Sequence, residues 1–252
     1  MVIKKGKILT MAGVSAAAAA GCRILREYRS WHPSAPKPAE GKKRIVCVGD
    51  SITFGAGVKH PAKDAWPMRL QQMIGNEYQV MNFGLSGRTL LAGGDMPYTR
   101  EKFYPMTFQA KPYCCLCMLG TNDSKPYNWD EADYKKELET FLQKYCAVVK
   151  QGHVFVMKPP KAFVVNGQSE VMYNIRDEVI QKELEIIDEI AEKIGIPVID
   201  LYHFTQNHPE WFADGVHPNE DGNRYIAEYI AGFVTDRPKA GQGAGNSKDG
   251  PI

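Results

Sequence analysis

Five short apolar runs recur along the chain, at residues 44–48, 78–83, 113–119, 154–157 and 196–201. The third is almost continuously apolar, the pattern of a strand buried on both faces. Between the runs, apolar residues return at helical spacing. Over 131–150, Tyr134, Leu138, Phe141, Leu142 and Tyr145 share one face. Over 171–194, Ile175, Val179, Ile187, Ile190 and Ile194 do the same, and Gly195 and Pro197 stop that helix. A last helix starts near Asn219, a good N-cap, with Glu220 and Asp221 favourable in its first turn. Its inward face is Ile226, Tyr229, Ile230 and Phe233. Strands alternating with helices predict an α/β fold, a parallel sheet covered by helices on both faces. Ligands on such sheets bind beyond the carboxyl ends of the strands.

The two ends of the chain leave this pattern. Lys4, Lys5 and Lys7 precede a mildly apolar run at 8–20, followed by Gly21 and Cys22. That is the layout of a secretory signal peptide over 1–22. Its ending A-A-G-C resembles the lipobox of bacterial lipoproteins, although Ala19 stands where leucine is usual. The expectation is export to a bacterial periplasm or cell surface, with a lipidated Cys22 as membrane anchor. The alternative is the alanine-rich helical start of a cytoplasmic protein. Residues 23–43 are polar and carry Pro33, Pro36 and Pro38, which suits a tether. The folded domain is expected over 44–234, and the glycine-rich 235–252 reads as a disordered tail.

Composition excludes more than it assigns. At 252 residues the chain suits one domain with appendages. The net charge of +2, without a basic stripe, gives no reason to expect nucleic acid. No stretch approaches the roughly 20 apolar residues of a membrane span. Cys47, Cys114, Cys115 and Cys117 lie on apolar strands and Cys146 on a helix, with no second ligand cluster, so zinc is not expected. Buried thiols acting as small hydrophobes are expected, with a disulfide between Cys47 and one of the third-strand cysteines left open.

The first strand runs directly into G-D-S, which places Ser51 at a sheet edge where Gly49 allows a sharp turn. A serine needs a base to become a nucleophile. Near the C-terminus stands D-G-V-H-P-N, where Asp214 precedes His217 by three residues and can reach its ring. In L-G-T-N-D, Asn122 follows an apolar run and offers a side-chain amide to an oxyanion. In N-F-G-L-S-G-R-T, Gly87 can present a backbone N–H with no side chain in the way. Each block alone is an ordinary turn. Asn122 also opens an Asn-Asp-Ser glycosylation acceptor, read here as accidental.

These four blocks, in this order, resemble the SGNH hydrolases, also called GDSL esterases, over residues 44–233, and none departs from the family pattern. The resemblance implies a three-layer α/β/α fold with a flavodoxin-like five-stranded parallel sheet in the order 2-1-3-4-5. It further implies Ser51 as nucleophile, His217 as base and Asp214 as its orienting carboxylate. The oxyanion donors would be the amides of Ser51 and Gly87 and the side chain of Asn122, with Gly84 as the alternative glycine. Asp50 is expected to hold the turn. No metal or organic cofactor is required.

The segments 91–111 and 124–129 should hang over the catalytic end of the sheet. They hold Tyr98, Phe103, Tyr104, Phe108, Tyr127 and Trp129. Aromatic faces there suit a sugar ring, so the first expectation is removal of acetyl groups from a carbohydrate; the alternative is that these rings form a satellite core. A lysophospholipase or broad short-chain carboxylesterase is the second enzymatic reading. A non-catalytic carbohydrate-binding module or an acyltransferase represents other classes.

Overall fold

The structure, a computed structural model, describes Tyr28 and residues 31–150, 152–165 and 167–234. The expected signal segment with Cys22 and the tail at 235–252 lie outside the described residues.

Strands β1 (Lys43–Gly49), β2 (Tyr78–Gly84), β3 (Cys114–Met118), β4 (Val154–Lys158) and β5 (Val198–Asp200) form one sheet in the order β2-β1-β3-β4-β5. Every pairing is parallel. In β1, Val46 and Val48 turn to one face and Ile45 and Cys47 to the other, and all four are fully buried. A strand with two dry faces needs apolar side chains throughout, which accounts for Cys-Cys-Leu-Cys-Met in β3.

The helices are α1 (Ser51–Phe54), α2 (Pro61–Asp64), α3 (Trp66–Met73), α4 (Phe103–Gln109), α5 (Glu131–Cys146), α6 (Asp177–Ile194), α7 (Leu201–Thr205) and α8 (Glu220–Val234). On one face, α4, α5 and α6 bring Phe103, Tyr134, Leu142 and Ile190 against Val46, Val48 and Cys115. On the other, α3 and α8 bring Trp66, Leu70, Ile226 and Ile230 against Ile45, Cys47 and Leu116. The result is the expected three-layer α/β/α arrangement. As expected, Asn219 caps α8, its Oδ1 accepting from Gly222 N at 3.0 Å.

Three local readings change. The helix expected over 171–194 begins only at Asp177, because Tyr173 (φ 64°) and Asn174 (φ 59°) are left-handed. Residues Met172–Asn174 instead form one 3₁₀ turn. The segment 91–111, for which no helix was expected, contains α4. The four sheet cysteines are free and buried, so the pairing left open for Cys47 is not made. Burial pushes the Cys114 thiol up to about 12, keeping it protonated.

The stretch from Trp31 onward, read as the end of a tether, is fastened to the sheet edge at β2. Ala39 N donates to Gln79 Oε1 at 2.7 Å, and Gln79 Nε2 donates to Lys37 O at 2.9 Å.

The turn after β1 sits very close to β2. A Cβ on Gly84 would lie 2.2 Å from Phe54 N and 2.7 Å from Phe54 Cα. Both are backbone atoms and cannot rotate away. Gly84→Ala is therefore expected to lower stability by about 1–3 kcal/mol, the usual cost of overpacking, and to displace α1. A urea midpoint equal to wild type would overturn this account of the turn.

Candidate active site

The carboxyl ends of β1, β2 and β3 lie along one edge of the sheet, and Ser51, Gly87 and Asn122 follow them in turn. Asp50 holds the first turn, its Oδ1 accepting from Ile52 N at 2.9 Å. Gly55, left-handed at φ 93°, ends α1 after one turn and donates back to Ser51 O. Ser51 is thus fixed at the sheet edge, 8% exposed. His217 Nε2 lies 2.9 Å from its Oγ.

The loop after η-turn Pro209–Trp211 carries both remaining groups of that line. His217 Nδ1 lies 2.7 Å from Asp214 Oδ2. The other oxygen, Asp214 Oδ1, accepts from Val216 N at 3.0 Å and His217 N at 2.7 Å. The carboxylate is therefore oriented by its own loop's amides before it meets the ring. Burial alone would raise the Asp214 pKa. The His217 hydrogen bond and charge, with those two amides, instead hold the carboxyl well below the usual range.

Gly87 is left-handed at φ 79° and lines the cavity beside Ser51. Gly84, the alternative glycine, packs on the Phe54 backbone. Asn122 is 6% exposed, and its Nδ2 points between Asp50 Oδ2 at 3.3 Å and Arg88 O at 3.2 Å. Both contacts are long, so the amide is held in place yet can turn a hydrogen toward an oxyanion. Asn128 Nδ2 fixes the Asn122 backbone by donating to its carbonyl at 2.9 Å. All five residues singled out from the sequence line one cavity of about 730 Å³.

The aromatic residues expected there do not line it. Tyr98 and Phe103 are fully buried, and Tyr104, Phe108 and Trp129 pack on the same core. Tyr127 is exposed but outside the cavity. Apart from Tyr127, these rings pack as core, as the alternative had it, but in the main core of that face rather than in a satellite. The aromatic residues that line it are Phe54, which follows the G-D-S turn, and Trp31 and Tyr173. Tyr173 donates from its hydroxyl to Asp214 Oδ2 at 3.0 Å, and its ring stands edge-on to His217 at 5.3 Å. The sequence marks neither residue: Trp31 precedes the patterned region, and Tyr173 falls inside an apparent helix.

Residues 47–225 match the GDSL-like Lipase/Acylhydrolase family. An acetylxylan esterase from Xylanibacter ruminicola is 34% identical over 84% of this chain, which spans about half of that protein's length, 47%. An arylesterase from Vibrio mimicus is 24% identical over 77% of this chain and 88% of its own. Among solved structures, a carbohydrate acetylesterase from Sinorhizobium meliloti has the same fold, with a TM-score of 0.60 at 20% identity, covering 77% of this chain and 98% of its own.

Behind the cavity lie three buried carboxyls. Burial pushes Asp50 up to about 6 and Asp123 up to about 7, although amides of Ile52, and of Leu90 and Leu91, partly offset it. Glu183, fully buried against Gly120, is pushed well above the usual range. An unfolded carboxyl titrates near ~3.9. Between about pH 4 and pH 7 the folded protein therefore holds more protons than the unfolded chain, and stability falls as pH rises. Asp214 works in the opposite sense, but its contribution is complete above about pH 4 and is lost only below it. The urea midpoint should accordingly be higher at pH 5 than at pH 7.5, with a smaller difference in Asp123→Asn. A wild-type midpoint that rises across that interval would contradict this placement of the carboxyls.

Proposed function

The chain belongs to the GDSL-like lipase/acylhydrolase family, and on that premise we propose that it is a serine ester hydrolase removing acetyl groups from a carbohydrate. The observation that carries the reading is the unbroken line from Asp214 Oδ2 through His217 to Ser51 Oγ, with contacts of 2.7 and 2.9 Å. It ends in an open cavity.

In this reading His217 Nε2 takes the Ser51 proton as Oγ attacks the ester carbonyl. Asp214 fixes the ring so that Nδ1 carries its hydrogen, and stabilises the imidazolium that forms. The amides of Ser51 and Gly87 and the Asn122 side chain receive the charge that develops on the carbonyl oxygen. His217 returns the proton to the departing alcohol, leaving an acyl-serine. Water, deprotonated by the same nitrogen, then releases acetate and restores Ser51.

Acetylated carbohydrate as substrate is supported by the named activities of the acetylxylan esterase and the carbohydrate acetylesterase. It no longer leans on the aromatics of 91–111 and 124–129. A half-exposed Tyr173 beside His217 offers a flat face where the alcohol of the ester must leave. Such a polymer-linked substrate suits an exported enzyme, and anchoring through Cys22 belongs to this proposal.

With an aryl acetate as substrate, Ser51→Ala and His217→Ala should each lose about 10³-fold or more in kcat, because the line acts as a unit. Asp214→Asn should lose about 10⁴-fold by leaving the wrong tautomer. Asn122→Ala should lose about 10²–10³-fold in kcat with KM little changed. Wild-type turnover in Ser51→Ala would sink the reading. Fatty-acid labelling should disappear in Cys22→Ser; labelling that persists would remove the anchor.

A further inference from the structure

Trp31 stands outside the domain read from the sequence, yet it lines the cavity. Its Cη2 and Cζ3 lie 2.8 and 2.9 Å from where a Cβ on Gly87 would be, so the indole rests directly on that glycine. The Arg88 guanidinium lies 5.5 Å from the ring centre, within cation–π range. Arg88 cannot follow a moving ring. It is 5% exposed, donating to Ser86 O at 2.7 Å and to Glu101 Oε1 at 3.1 and 2.8 Å. The indole thus packs on Gly87 and on a guanidinium that is itself held in place.

The chemistry sets which part of an ester meets it. The leaving oxygen must lie beside His217 Nε2, which returns the proton to it. That puts the alcohol on the side of His217 and Tyr173. The carbonyl oxygen points at the donors. The remaining substituent, the acyl chain, is directed away from His217; of the rings Trp31 and Tyr173, Tyr173 stands beside His217 and Trp31 rests on Gly87. We propose that Trp31 is the residue that sets acyl length, admitting a methyl group and refusing longer chains. The assignment rests on the serine-hydrolase reading above. It makes acetyl esters the substrate class for a steric reason located in this chain, and it excludes long-chain lipid esters.

The test uses the full chain and esters of one aryl alcohol: acetate, butyrate and octanoate. Each is assayed on wild type, Trp31→Ala, Trp31→Phe and Ser51→Ala. Wild type should prefer acetate. Trp31→Ala should raise the butyrate-to-acetate ratio of kcat/KM about tenfold or more, the scale on which a hydrophobic pocket discriminates methylenes. Trp31→Phe, which keeps a ring on Gly87, should fall between the two and guards against a misfolded alanine variant. An unchanged ratio in both variants, with hydrolysis abolished in Ser51→Ala, overturns the Trp31 assignment alone. So does a loss in Trp31→Ala confined to a parallel assay on acetylated xylo-oligosaccharide, with the aryl-ester ratio unchanged, which would make the indole a sugar platform. Hydrolysis that survives in Ser51→Ala overturns the underlying reading and this inference with it.

Discussion

The structure depends on how closely one turn approaches the sheet. After β1 the chain reverses through Gly49, Asp50 and Ser51 and lays α1 across the end of β2. Gly84 has no room for a side chain there, because its Cβ would strike the Phe54 backbone. Gly49 is equally confined, with Thr53 Oγ1 at 2.1 Å from its Cβ position. Asn82 then locks the contact, donating to Thr53 O at 2.9 Å and accepting from Gly84 N at 2.9 Å. A hydroxyl offered to His217 at 2.9 Å needs a backbone that does not drift, and these contacts fix it.

A buried polar web extends that fixation across three strand ends. Asp50 touches Asn122, Asn122 touches the Arg88 carbonyl, and Asp123 accepts from Leu90 and Leu91 amides. The loops after β1, β2 and β3 are therefore bound to one another through groups that are almost wholly buried. Such groups are costly when unmatched and rigid when matched. The cost appears in the raised Asp50, Asp123 and Glu183 carboxyls. The return is that the three strand-end loops are held in fixed positions at the edge of the cavity.

The walls of the cavity follow a different logic. Tyr173 is held in a left-handed conformation, an uncommon state for a non-glycine residue. Its hydroxyl reaches the carboxylate that orients His217. Trp31 arrives from a segment pinned along β2. In the structure both come from irregular chain, although the sequence reads Tyr173 as helical, so these two walls of the cavity are irregular chain laid on a regular frame.

The sequence by itself determined the frame and the residues that the structure brings together at one cavity. Apolar runs of strand length between helical periods require a parallel sheet with two covered faces, and the glycine turns that end those runs place Ser51, Gly87 and Asn122 at one edge. Asp214 and His217 were legible as a pair because three residues separate them on one loop. Tertiary structure decided what short-range pattern does not encode. It gave Gly84 to packing and Gly87 to the cavity, since only the position of α1 distinguishes them. It sent Tyr98, Phe103 and Trp129 into the core, because an aromatic side chain reads the same whether it faces a ligand or a neighbour. It also brought Trp31 from 20 residues before Ser51, and Tyr173 from far beyond it, to the lining of one cavity. Those contacts join distant parts of the chain, and no local periodicity records them.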